Sequence, residues 1–230
     1  KPFTGPFFYN PYNNIDTSSW KRASFHAHSR QWGGITAGNK SSDSLISKRY
    51  KEIKYDIVSI SDYQSINSLL ASDSAYIPVY EHGYGVFKNH QLVIGAQHVS
   101  WKEYLFFQSF HNKQDVINSL KNANEVIAIN HPKLRAAYSA EDLKNLRGYD
   151  LLEVASHSFF DADDLWDSAL SSGRRVFVVA NDDNHDIHDA EDFGFVYTMV
   201  NTPSLKKDDE LEALRLGKEY GVELEPEKDT

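Results

Sequence analysis

Histidine and carboxylate residues recur along this sequence just beyond short apolar runs. His26-Ala27-His28 closes the run at 23–26, Asp62 follows 57–61, Glu81-His82 follows 77–80, and His90 opens the run at 92–95. Asn130-His131-Pro132 follows 126–129, the stretch from Glu153 to His157 closes the run begun at Leu151, and Asp182-Asp183-Asn184-His185 follows 176–180. Neutral imidazole nitrogen and carboxylate oxygen are the donors that suit zinc, manganese or iron. The chain has no cysteine, which excludes thiolate sites and disulfides. Alternate residues of an extended chain point the same way, so both imidazoles of His26-Ala27-His28 can grip one ion. Each motif alone has an ordinary reading: a half-exposed strand pair, a His-Pro turn, a solvated acidic loop. Asp186, His188, Asp189, Glu191 and Asp192 fit the last of these, and His82, His98 and His111 read as structural or exposed. The recurrence of such residues at successive run ends is what points to a metal site.

The elements that must position them are short. Strand-like runs at 23–26, 57–61, 77–80, 92–95, 126–129, 151–154, 176–180 and 195–200 alternate with segments of helical spacing. Ile46, Tyr50 and Ile53 share one helical face, as do Val116 with Leu120, Leu165 with Ala169, and Leu211 with Leu214. This alternation predicts an α/β fold with a mostly parallel sheet. Seven or eight strands favour a closed, TIM-barrel-like arrangement over an open sheet, with 77–96 its least regular part. Loops at the C-terminal strand ends of such a barrel converge on one mouth, which is where the histidines and carboxylates stand. No glycine-rich phosphate loop follows the first run, where a nucleotide-binding open sheet would carry one. Without repeats or a long linker, residues 1–230 are read as one domain, with 1–20 an irregular lead-in.

Hydrophobic residues make up 40% of the 230 and aromatics 13%, enough to fill a sizeable core. A formal net charge of -9 repels a phosphate backbone, so nucleic acid is disfavoured except as a small substrate. No apolar run approaches the roughly 18 residues a membrane helix needs, which predicts a soluble chain. It begins at Lys1, compatible with a processed, exported protein of the bacterial periplasm as well as with a cytoplasmic one.

Taken in order, these motifs resemble the polymerase-and-histidinol-phosphatase (PHP) superfamily of metal-dependent phosphoesterases. That family opens with His-x-His, here His26-Ala27-His28, and continues with Ser/Thr-Asp-His, here Ser61-Asp62-Tyr63. A glutamate after a Pro-containing strand follows (Glu81), then a histidine leading an apolar run into glycine (His90 to Gly95). His131-Pro132 and Asp183-Asn184-His185 complete the set. The ending, Glu212-Ala213-Leu214 to Gly217-Lys218-Glu219-Tyr220, is similar to the family's closing helix and Gly-x-x-Tyr. The resemblance spans about residues 21 to 221 and implies a distorted (β/α)7 barrel.

It further implies two divalent ions (Zn, Mn or Fe), the first held by His26, His28, Glu81 and Asp183, the second by Glu81, His90 and His131, with Glu81 bridging. Two departures matter. The stretch Ser29-Arg30-Gln31-Trp32-Gly33-Gly34 lacks the ligand usual after His-x-His, and Tyr63 replaces the histidine of the second motif. Of the third-ion ligands only His185 remains, which implies that a third ion is missing or weakly held, with Trp32 and Tyr63 near its place. The implied activity is hydrolysis of phosphate mono- or diesters, since two ions about 3.5–4 Å apart clamp the oxygens of an in-line displacement. Asp183, His185 and His157 are the candidate catalytic residues, His185 or His157 as general acid or substrate orienter. Arg30, Tyr63 and Arg135, with Lys133 beside them, are the candidate contacts to a small phosphorylated substrate. Two alternatives stay open: a metallohydrolase of amide or carboxylic ester bonds, and a catalytically reduced metal-containing binding protein.

Overall fold

The computed structural model describes residues 9–38, 40–156, 161–189 and 193–224. Within them lie nine strands: β1 (Trp20–Ser24), β2 (Ile57–Val58), β3 (Val79–His82), β4 (Gln91–Ile94), β5 (Val126–Ile129), β6 (Leu151–Ser156), β7 (Phe177–Asn181), β8 (Val196–Asn201) and β9 (Glu219–Glu223). The helices are α1 (Asp43–Glu52), α2 (Phe110–Leu120), α3 (Ala140–Asn145), α4 (Asp163–Ser171) and α5 (Lys207–Arg215). Serine hydroxyls start three of them. Ser42 accepts from Leu45 N at α1, while Ser109 with Asn112 and Ser139 with Asp142 form capping boxes at α2 and α3, satisfying amides that would otherwise lack partners.

The strands form two mixed sheets, ordered β2-β1-β8-β9 and β3-β4-β5-β6-β7. Between them lies an apolar layer that includes Ala23, Phe25, Val79, Leu92, Ile94, Val126, Ala128, Leu151, Val179 and Val200, plugged by Leu211, Ala213 and Leu214 of α5. On its outer side the five-stranded sheet packs against α2, α3 and α4, and α1 covers the four-stranded sheet through Ile46 and Tyr50.

This layout corrects the expected (β/α)7 barrel. Only β1–β2, β5–β6 and β6–β7 pair in parallel; β3–β4, β4–β5, β1–β8 and β8–β9 are antiparallel. The link from β3 to β4 is too short for the crossover that a parallel pair needs, so that pair folds as a hairpin. No ladder closes the ring among the described residues. Between β7 and β8, the Thr198 hydroxyl takes the place of backbone, accepting from Ala180 N at 2.9 Å and donating to Ala180 O at 2.8 Å. Between β2 and β3 a lone Tyr63–Glu81 bridge joins the sheets.

Side-chain alternation carries the inner rows past the apolar layer toward one end. His90 shares its facing with Leu92 and Ile94, Glu81 with Val79, Asn130 with Ala128, Glu153 with Leu151, and Asn181 with Val179. At that end the rows turn from apolar to polar while staying buried. A polar layer sealed against the core is the setting in which unpaired donors and acceptors are most costly, and it is where the chemistry-bearing residues gather.

Candidate metal centre

Glu81 stands at the middle of this layer, without solvent exposure. Its Oε1 accepts from Asn130 Nδ2 at 3.0 Å and lies 2.9 Å from His90 Nδ1, 3.1 Å from His131 Nε2 and 3.3 Å from His26 Nε2. Its Oε2 lies 3.2 Å from His28 Nε2. Asp183 Oδ1 closes the other side, 3.0 Å from His26 Nε2, 3.2 Å from His28 Nε2 and 3.6 Å from His185 Nδ1. Despite these short separations, His26 Nε2, His28 Nε2, Glu81 Oε2 and Asp183 Oδ1 make no hydrogen bond, and all four are shut off from water. Close approach without hydrogen-bond direction is the geometry of donors aimed at a common centre.

Four overlapping groups bring their donor atoms within 4.8 Å of one another: His26–His28–Glu81, His26–His131–Asp183, His28–Asp183–His185 and Glu81–His90–His131. The donor chemistry fits a divalent cation, and the orphaned buried atoms call for one. Two of these residues sit on unusual backbone, His131 at φ 25° and Asp183 at φ 47°. Strain of this kind is retained where surrounding structure holds a functional group in place.

Carboxylates and imidazoles in the cluster shift one another: against burial, Asp183, Glu153 and Glu81 raise His26, and Asp183 and Glu81 raise His28. Burial works against charge on Glu81, but His90, His26 and His131 hold its carboxyl well below the usual range. Asp183 is likewise held low against burial, chiefly by His26 and His185. Burial pushes His90 down to about 4 and lowers His185 as well. Both carboxylates are therefore ionised, and these two imidazoles neutral, at neutral pH.

Sequence reasoning gave Glu153 no role of its own. It lies in the apolar run of β6, and a carboxylate inside such a run was the available signal. Its Oε1 faces His26 Nδ1 at 2.9 Å and accepts from Asn181 Nδ2 at 2.9 Å, while Oε2 accepts from His131 N at 2.9 Å. A carboxylate on Nδ1 keeps the proton there and frees the Nε2 lone pair for the cluster. Lys88 also went unnoticed, two residues before His90. Its ammonium lies 5.7 Å from the centre of the Tyr63 ring, and no carboxylate among the described residues pairs with it.

The remaining expected residues scatter. Tyr63 stacks on His28 with ring centres 4.2 Å apart, and its hydroxyl lies 3.1 Å from His185 Nε2. Trp32 stands further out and half-exposed, its indole N–H donating to Tyr63 O. Arg30 is exposed, Lys133 pairs with Asp164 at 2.7 Å, and Arg135 donates to the Val86 carbonyl, so none of these three joins the cluster. His157 lies outside the described residues. His82 is held behind β3 between Gln91 and the Lys102 carbonyl, and Asp182 faces away, accepting from Tyr50 and Gly194 N.

No family model matches the chain, and no curated protein matches it. Its fold is similar to that of a two-domain protein from Bacteroides vulgatus described as containing a predicted PHP-like metal-dependent phosphoesterase. That match has a TM-score of 0.64 at 14% identity and covers 92% of this chain and 68% of the other. PsfC from Pseudomonas syringae matches with TM-score 0.53 at 12% identity over 85% and 87% of the two chains. An amidohydrolase from Chromobacterium violaceum, solved with bound sulfate and no metal, matches with TM-score 0.50 at 15% identity over 84% and 96%. At these identities the likeness is one of fold alone.

Proposed function

We propose that this chain is a metal-dependent hydrolase of phosphate mono- or diesters. The observation that carries the reading is the set of buried, orphaned donors on His26, His28, Glu81 and Asp183, which converge without bonding one another. In this reading His26, His28, Glu81 and Asp183 would hold one divalent cation and Glu81, His90 and His131 a second, Glu81 being common to both. Bound there, such ions supply charge stabilisation of ester oxygens and a water of lowered pKa.

The chain's own residues do the rest. Glu153 fixes the His26 tautomer, and Asn130 holds the Glu81 carboxylate. His185 donates from Nδ1 to the Asp183 carbonyl at 2.7 Å, leaving Nε2 as the acceptor facing the Tyr63 hydroxyl. That arrangement suits taking a proton at Nε2 more than giving one, so His185 is assigned as acceptor and orienter in place of general acid. Lys88, whose ammonium stands beside Tyr63, is the group best placed to hold a phosphate oxygen. It favours an anionic substrate over a neutral ester or amide, which the same site would polarise.

The test is a screen of the chain loaded with manganese or zinc against an aryl phosphate, a bis-aryl phosphate, an aryl ester and an anilide. The expected result is turnover of the phosphates that a chelator abolishes. Turnover confined to the ester or anilide would move the activity to carbonyl hydrolysis. Bound metal without any turnover would leave a binding protein.

A further inference from the structure

On the side that Tyr63 closes, the surface beside the cluster is apolar. Trp32, Tyr84, Phe87, Trp101, Phe106 and Phe107 are all exposed, the two indoles by 49% and 57%. Two groups of rings form: Trp32 and Trp101 lie 6.0 Å apart at 78° with Tyr84 6.3 Å from Trp101, and Phe87 and Phe107 lie 6.0 Å apart at 89°. Single exposed rings are ordinary, whereas a connected patch marks a binding surface. This patch is continuous with the candidate centre, because Trp32 bonds the Tyr63 carbonyl at 2.8 Å and Tyr63 stacks on His28.

The innermost ring is fixed in orientation, its indole N–H donating to Tyr63 O. Trp32, Gly33 and Gly34 all have positive φ, at 50°, 66° and 83°. A tryptophan in that conformation is costly and persists where its placement matters. Tyr84 Oη donates to the Trp101 carbonyl at 2.9 Å, and Val86 N donates to Leu105 O at 2.9 Å, tying the two loops together. Apart from Lys88, the charged side chains named here are engaged. Lys102 pairs with Asp115 at 2.6 Å, Glu103 accepts from the amides of Tyr84 and Tyr104, and Arg135 is held on Val86.

What remains is a corner of two exposed indoles next to the candidate centre. The faces are electron-rich and attract polarised C–H groups, which a sugar ring presents on its flat sides. Near this corner a polyanion meets the Lys88 ammonium beside Tyr63, enough for one phosphate, and otherwise a chain of net charge -9. A bilayer has no need of an indole held through its N–H, as Trp32 is. We propose that the substrate carries a sugar ring beside the bond cleaved, and that Trp32 and Trp101 are the platform on which this ring stacks. The bond cleaved rests on the hydrolase reading above; the platform does not.

The test has two arms on the full chain. In the first, phosphate-free methyl glycosides are titrated into metal-free protein and followed by indole fluorescence and saturation-transfer NMR. Saturable binding is expected, lost in Trp32→Ala and Trp101→Ala and partly kept in Trp101→Phe. In the second, kcat/KM of the metal-loaded protein is compared for a sugar phosphate and butyl phosphate. Their ratio is expected to exceed about ten, as one good stacking contact gives, and to fall toward one in Trp101→Ala. Glycoside binding without phosphate turnover would uphold the platform and overturn the hydrolase reading. Phosphate turnover at a ratio near one, with no glycoside binding, would overturn the platform. So would an indole response to phosphatidylcholine vesicles alone, which would mark a bilayer contact.

Discussion

Glu153 supports the first candidate group from behind, with no donor atom of its own in it. Its carboxylate bonds His26 at Nδ1 and His131 at the backbone, so it sets both a tautomer and a loop. Glu153→Gln keeps the shape and removes the charge, and is expected to weaken metal binding by about 10–100-fold, as loss of such supporting carboxylates does. Isothermal titration with zinc or manganese measures this; unchanged affinity would show that His26 needs no such partner. The seven residues whose donor atoms gather in the cluster were legible in the sequence because each stands at one end of an apolar run. Glu153 was not, since inside β6 its neighbours Leu152 and Val154 mask it as strand interior. Lys88 was hidden for the opposite reason, in a loop whose path only the β3–β4 hairpin reveals, while Arg30, Lys133 and Arg135 stood closer in sequence to ligands but point elsewhere.

Among the elements, the β3–β4 hairpin carries the tightest constraint. Gly83 has φ 125°, and a Cβ placed there would stand 2.4 Å from His90 Cδ2. Gly83→Ala is therefore expected to push the His90 ring aside, weakening the group Glu81–His90–His131 about tenfold or more and costing about 1–3 kcal/mol of stability. Metal titration alongside urea unfolding separates the two effects; wild-type values in both would mean the loop relaxes freely. Strand positions were readable, 126–129 without any shift, because their apolar runs are bounded by polar residues. The antiparallel pairings were not, because alternating apolar runs look the same whichever way a strand is laid. β9 was missed because Glu219, Tyr220 and Gly221 break the apolar pattern, and α3 because its six residues are too few to show a helical period.

At the scale of the molecule, the two sheets enclose one apolar layer, with the metal-binding candidates at one end and α5 plugging it. Glu210 of α5 is buried with neither carboxylate oxygen bonded, and burial, aided by Asp209 and Asp73, raises its pKa to about 8. A folded pKa above the unfolded one means full stability below about pH 4.5 that drains away as pH rises toward 8. Glu210→Gln should thus raise stability at pH 8 by a few kcal/mol and change little near pH 4.5, measured by denaturant unfolding at both; equal effects at the two would contradict it. The central claim is that the buried donors form a metal centre shared through Glu81. Its most direct test is the count of metal ions per chain after reconstitution and desalting, by elemental analysis of wild type and Glu81→Gln. The account predicts two ions in the wild type and at least one lost in the variant. A wild type that retains no divalent metal, or a Glu81→Gln chain that retains both ions, would contradict it.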